Sequence, residues 1–302
     1  MQNEVKTENR ISAKVSGAAF SLSALMPIVI TYLVVLALII AKVYDNVKDG
    51  AVFGIAAYAF AQIGLIVAFF IVKGLDKTTT FKTLAGVEKF DARIIILLPF
   101  VAFGMIFGLG FLNGYFIELL KIIGLKVNGV TLKTTNAGEL VFALVCVAVL
   151  PAVAEEVFFR SIILKGVTFK RVLPTVLFSG FCFALYHHNP AQTVYQFVVG
   201  VIFAYIAIAS KSVLPTMILH FVNNAFVILF GYFAGEFAFN TTLTAIFTVS
   251  GICCLVGCFA AYRFWFKIKA DEVAENPDLK TFFLFSGLGV ILCVVQWILG
   301  CL

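Results

Sequence analysis

Glu155, Glu156 and Arg160 stand together in PAVAEEVFFR, inside one of the most apolar stretches of the chain, and the three histidines, His187, His188 and His220, all follow before residue 224. Ionisable side chains at membrane depth are costly and read by default as functional, each with a partner to be found. On a helix Glu156 and Arg160 lie four apart with the acid nearer the N-terminus, the favourable orientation for an ion pair. Glu155 then points ~100° away and is the carboxylate left over, free to face a neighbouring helix. In HFVNN, His220 and Asn224 are also four apart and present an imidazole and an amide on one face. FALYH sets Phe183 one turn before His187 in the same way.

Peptide-bond hydrolysis needs a group that takes a proton from water and donors arranged for a tetrahedral oxyanion. A buried carboxylate beside an imidazole can be that base, which suits Glu155 with His187, while His220 with Asn224 suits the oxyanion. The same Glu155, His187 and His220 form a familiar three-ligand open set for zinc, and spacing does not choose between the two. A purely structural ion-pair network is the plain alternative for the acids, weakened by the histidines clustered after them. Arg160 reads as supporting, His188 as a loop or interfacial residue on a different face, and Asn223 as a packing amide.

These side chains must be held by membrane-crossing helices. The chain is 62% hydrophobic and 13% charged, which an ordinary soluble domain does not match. Runs able to cross a ~30 Å hydrocarbon core fall at 21 to 42, 51 to 72, 94 to 120, 140 to 164, 172 to 188, 192 to 210, 213 to 233, 241 to 266 and 281 to 300. The expected fold is all-α, a polytopic transmembrane bundle of about eight to nine helices, because two of these runs are short. The first run exceeds the ~7–15 residues of a signal-peptide core and reads as a retained anchor. The net charge of +6 follows from lysines and arginines in membrane-flanking loops, so nucleic acid is not expected as a partner. Lys6, Arg10, Lys14, Lys73, Lys77, Lys82, Lys89, Arg93, Lys165, Lys170, Arg171, Lys211, Arg263, Lys267, Lys269 and Lys280 fall on one side, which the positive-inside rule makes cytoplasmic together with the N-terminus. Lys42, Lys48, Lys121, Lys126 and Lys133 fall on the other. Seven cysteines, all in apolar runs without a CxxC pair, read as small buried hydrophobes.

Depth offers a consistency check: Glu155 lies ~15 Å and His220 ~13 Å from the inner boundary at 1.5 Å per residue. His187, at ~24 Å on the same count, is too deep unless its helix is tilted or begins late. The connection HHNPAQ, with no acid, lysine or arginine, is expected to dip into the membrane beside a wet cavity. The stretch TFKTLAGVEKFDAR reads equally as an interfacial helix or a solvated loop. The chain divides into a polar segment at 1–20, N-terminal membrane helices and loops at 21–138, a core carrying the chemistry at 139–233, and C-terminal membrane helices at 234–302.

EEVFFR, FALYH and HFVNN resemble the EExxxR, FxxxH and HxxxN motifs of the CPBP family, the type II CAAX prenyl proteases and bacteriocin-processing enzymes also called Abi or CAAX protease-like. The three occur in family order, and the resemblance covers about 140 to 230. It implies an all-helical intramembrane endopeptidase with a cavity open to the cytoplasmic side. By motif, Glu155 activates water with His187, His220 and Asn224 stabilise the oxyanion, and Glu156 and Arg160 support them. The family is often described as metalloproteases, although a metal-independent glutamate mechanism is favoured, so zinc on Glu155, His187 and His220 remains the cofactor to consider. The resemblance implies a peptide or protein substrate, such as a leader, pheromone or lipidated peptide, met among membrane lipids in a bacterial plasma membrane. Two other readings are a non-catalytic immunity or regulatory protein on the same fold and a proton-coupled transporter, the latter weakened by the lack of an internal repeat.

Overall fold

The computed structural model describes residues 11–127, 132, 134–233, 240–265 and 277–301. Lys6, Arg10, Lys133, Lys267 and Lys269, used above to orient the chain, lie outside the described residues. The helices are α1 (Ala13–Ile40), α2 (Ala51–Leu75), α3 (Arg93–Leu109), α4 (Phe111–Ile122), α5 (Ala137–Gly166), α6 (Val172–Tyr186), α7 (Thr193–Ser210), α8 (Leu214–Phe233), α9 (Thr241–Trp265) and α10 (Leu279–Leu299). No strand occurs among the described residues. Among the described residues eight helical units, with α3 and α4 counted as one, are long and apolar enough to cross a membrane, and the chain is a multi-pass integral membrane protein with an all-α fold. The ninth expected run is α6, only 15 residues long. At 1.5 Å per residue it covers ~22 Å, less than the ~30 Å hydrocarbon core.

The helix that carries both glutamates is irregular. α5 contains two stretches of π-helix, Leu144–Val149 and Val157–Ile163, on either side of an α-helical Leu150–Glu156. Pro151 gives a local cause for the first. It has no N–H for the Val147 carbonyl one turn back, and its ring crowds that carbonyl, so the backbone relaxes toward wider i→i+5 spacing, a form common at functional sites.

Neighbouring helices close on small residues, as in other membrane bundles. α3 meets α9 where a Cβ on Gly251 would sit 2.5 Å from the Gly108 nitrogen, and α6 meets α7 where a Cβ on Gly200 would sit 2.8 Å from the Gly180 Cα. α1 packs between α2 and α10, and its Phe20 joins Phe158, Phe159, Phe183 and Phe282 in the largest apolar cluster. The FF pair of EEVFFR is therefore core, since Phe158 and Phe159 are both buried. Outward faces carry exposed residues such as Leu36, Phe70, Ile96 and Leu284, as a bundle in lipid requires.

Ahead of Arg93, where α3 begins, only Phe81–Ala85 of TFKTLAGVEKFDAR is helical. The rest is neither an interfacial helix nor a free loop, because it is tied to the bundle. The Ser161 hydroxyl donates to the Thr83 carbonyl at 3.1 Å, the Val213 N–H donates to the Gly86 carbonyl at 3.1 Å, and the Glu88 N–H donates to Ser212 Oγ at 3.2 Å. Gly86 turns the chain there with φ of 66°, a conformation that suits glycine. All seven cysteines are free, and five of them are buried.

Candidate active site

Four helices bring polar side chains to one buried point. Glu155 and Glu156 come from α5, His187 from the residue that ends α6, His220 from α8, and Gln62 from α2. Glu155, Glu156, Arg160, His220 and Gln62 are all buried, and His187 is partly so.

Each glutamate has its own set of partners. Glu156 Oε1 lies 3.2 Å from the Arg160 guanidinium, the expected i to i+4 pair, and accepts a hydrogen bond from His220 Nδ1 at 2.9 Å. The guanidinium also lies over two aromatic faces, 4.1 Å from the Phe183 ring centre and 5.1 Å from that of Phe203. Such cation–π contact helps hold a desolvated arginine. Arg160 thus neutralises Glu156 while its plane is clamped between α6 and α7.

Glu155 faces the other way, as the ~100° helical offset requires. Its Oε1 accepts from Gln62 Nε2 at 3.0 Å. Its Oε2 has no hydrogen-bond partner among the described residues and lies 3.9 Å from both His187 Nε2 and His220 Nε2. Both rings present Nε2 for a defined reason: His187 Nδ1 bonds the Phe183 carbonyl at 2.9 Å, and His220 Nδ1 bonds Glu156. A carbonyl or a carboxylate only accepts, so Nδ1 carries the hydrogen in each ring. Counting residues from Arg171 overstated the depth of His187, since its Nε2 stands level with Glu155.

Asn224 is held one turn beyond His220, and its Nδ2 donates to the Val147 carbonyl at 2.9 Å, the carbonyl to which Pro151, four residues on, has no N–H to offer. Asn223 Nδ2 donates to Asn224 Oδ1 at 3.2 Å, and the Tyr195 hydroxyl donates to Asn223 Oδ1 at 2.6 Å. A polar chain therefore runs from α7 through α8 to the irregular turn of α5. His188 is exposed, in the turn after α6 with φ of 34°, and stays outside the cluster.

Gln62 and Phe183 were not assigned roles from spacing. A lone amide in the run AVFGIAAYAFAQIGLIVAFF is a readable signal by itself, but its partner is 93 residues away. Phe183 supplies three things at once: a ring under Arg160, an edge contact to His187 at 4.5 Å, and the carbonyl that orients His187.

Glu155, His187 and His220 offer zinc-type donors, and the carboxylate on His220 Nδ1 is a usual second partner for a metal-bound histidine. Their spacing does not fit the ion. Tetrahedral ligands at ~2.0–2.1 Å from zinc stand about 3.4 Å apart, against 3.9 Å from Glu155 Oε2 to either ring. No three histidine, cysteine or acidic side chains among the described residues are arranged to hold a metal.

Residues 137–226 match the family model described as Type II CAAX prenyl endopeptidase Rce1-like. The match bears out the resemblance read from EEVFFR, FALYH and HFVNN and contains every residue of the cluster except Gln62. In comparisons with curated proteins and with solved structures, nothing matches.

Proposed function

Starting from the Rce1-like match at residues 137–226, we propose that this chain is an intramembrane endopeptidase of CAAX-protease type in which Glu155 and His187 activate water. The observation that carries the reading is the convergence of His187 Nε2 and His220 Nε2 on one unpartnered oxygen of Glu155, 3.9 Å from each. Separations of that size suit one water oxygen held at ~2.8 Å from all three atoms.

Hydrogen counting distributes the roles. Water has two hydrogens to donate, and with both rings neutral it would meet three acceptors: Glu155 Oε2 and the two Nε2 atoms. One of the three must donate instead. His220 is suited to it, because its Nδ1 already faces the Glu156 carboxylate at 2.9 Å, which compensates a positive ring. His187 is oriented by a neutral carbonyl and serves as an acceptor.

In the reaction the water gives its proton to Glu155 while its oxygen attacks the scissile carbonyl carbon. The carbonyl oxygen gains the displaced electron pair and is met by the His220 Nε2–H and by the Asn224 amide hydrogen not given to Val147. Glu155 passes its proton to the departing amine as the C–N bond breaks. No step needs a metal, and Gln62 keeps Glu155 Oε1 occupied so that Oε2 faces the water.

The substrate is a peptide or protein. We place its cleaved end toward the cytoplasmic face, with an apolar or lipidated segment held in the bilayer, because residue counting sets Glu155 and His220 ~15 Å and ~13 Å from the boundary that the positive-inside rule makes cytoplasmic. Leader and pheromone peptides are the substrates we would test first. The experiment is cleavage of a fluorogenic peptide library by the purified chain in nanodiscs, with His187→Ala and His220→Ala in parallel and a chelator arm. Loss of cleavage in both variants with helicity retained, and indifference to chelator, is the expected outcome. Equal activity in the variants removes the proposed site, and chelator-sensitive activity restored by zinc replaces the mechanism.

A further inference from the structure

A second feature lies away from the glutamates. A cavity of about 710 Å³ opens between α3, α6, α7 and α9, within the ~300–1,000 Å³ of sites that take small ligands. Its walls are apolar, with Val176, Val201, Leu255 and Val256 among them, yet Arg171 and Arg263 from two separate helices also line it.

Two further observations point to an anion at Arg171. Arg171 sits immediately before α6, whose first turn has no side-chain cap and contributes Val172 and Leu173 to the cavity wall. A helix N-terminus of this kind directs backbone N–H groups and positive potential at whatever sits there. The Arg171 guanidinium makes no hydrogen bond or ion pair among the described residues.

Apolar walls that include two arginines match an amphiphile with an anionic head. A peptide would leave its backbone groups unpaired against these walls, and a free anion would leave the apolar volume without a ligand. Basic pockets between membrane helices on the cytoplasmic side are suited to acidic lipid headgroups. We propose that this cavity is a binding site for an anionic phospholipid, with an acyl chain between α6, α7 and α9 and the phosphate at Arg171 and Arg263. It is separate from the Glu155 cluster and does not depend on proteolysis.

The test is native mass spectrometry of the full chain from detergent containing equal phosphatidylglycerol and phosphatidylcholine. The wild type should retain phosphatidylglycerol about tenfold or more in preference, and Arg171→Gln with Arg263→Gln should abolish that preference. Both arginines are exposed, so their loss should spare the fold. Val256→Trp, at a position 64% exposed in the cavity wall, should block retention with both arginines present. Glycerol phosphate alone should raise the melting temperature of the wild type far less than phosphatidylglycerol does. Equal retention of the two lipids, an undiminished preference in the double arginine variant, unaltered retention in Val256→Trp, or full stabilisation by glycerol phosphate would each overturn the proposal.

Discussion

Gln62 offers the sharpest test of how Glu155 is held, because α2 lies outside the segment that matches the Rce1-like family. Gln62→Leu keeps the approximate volume and removes the donor 3.0 Å from Glu155 Oε1. A hydrogen bond to a charged group contributes ~1.5–3 kcal/mol net, and ~1.4 kcal/mol is tenfold in rate. If that bond fixes the carboxylate for reaction, kcat/KM should fall about 10- to 100-fold. The melting temperature should fall as well, because Glu155 Oε1 loses its donor inside the bundle, an effect offset in part by removal of the unpartnered Gln62 Oε1. Gln62→Glu should be the worse variant, because an ionised carboxylate cannot donate and repels Glu155. The assay is peptide cleavage in nanodiscs with circular dichroism melting alongside. Cleavage by Gln62→Leu within twofold of wild type would refute the assignment.

Three other expectations follow from the packing. Asn224→Ala should cost about 1–3 kcal/mol by leaving the Val147 carbonyl unmet, and about 1 kcal/mol less when Pro151→Ala restores an N–H one turn away. Additive melting shifts in the double variant would remove the link between Pro151 and Asn224. A Cβ on Gly64 would lie 2.4 Å from the Pro27 nitrogen of α1, whereas one on Gly74 would meet nothing within 4 Å. Gly64→Ala should therefore destabilise by ~1–3 kcal/mol and Gly74→Ala should be neutral or stabilising, as read from thermal melts; equal shifts would contradict the α1–α2 contact. Burial pushes the Asp76 carboxyl up, but hydrogen bonds from Thr78 and Thr79 outweigh it and hold the group below its ordinary value. A lowered value stabilises the fold above the ordinary carboxylate range, and that stability is lost as pH falls through the folded value. The gap in melting temperature between wild type and Asp76→Ala should hold from neutral to mildly acid pH and shrink in stronger acid, and a gap that widens there would contradict the sign.

Much of the fold was legible because apolar run length reports a membrane helix directly. The Glu156–Arg160 pair and the outward turn of Glu155 were legible for a similar reason, since both follow from residues within one turn of a helix. Contacts between helices were less so. Sequence spacing carries no information on Gln62 meeting Glu155 or on Tyr195 meeting Asn223. The depth of His187 stayed conditional on a tilted or late-starting helix, because residue counting carries no tilt angle. The irregular α5 had a local sign in Pro151, but its consequence, an amide from α8 filling the carbonyl of Val147, needed the third dimension. TFKTLAGVEKFDAR mixed lysines with apolar residues in a way that fitted two environments, and its anchoring by Ser161, Ser212 and Val213 decided for neither.

The central claim is that the Glu155 carboxylate takes the proton of the attacking water. Its most direct measurement is single-turnover cleavage of one identified peptide by Glu155→Gln against wild type at matched folded protein. Proton transfer by a positioned side chain contributes ~10²–10⁴-fold, so the account predicts a loss of at least about a hundredfold with helicity and melting temperature retained. Cleavage by Glu155→Gln at the wild-type rate would contradict it.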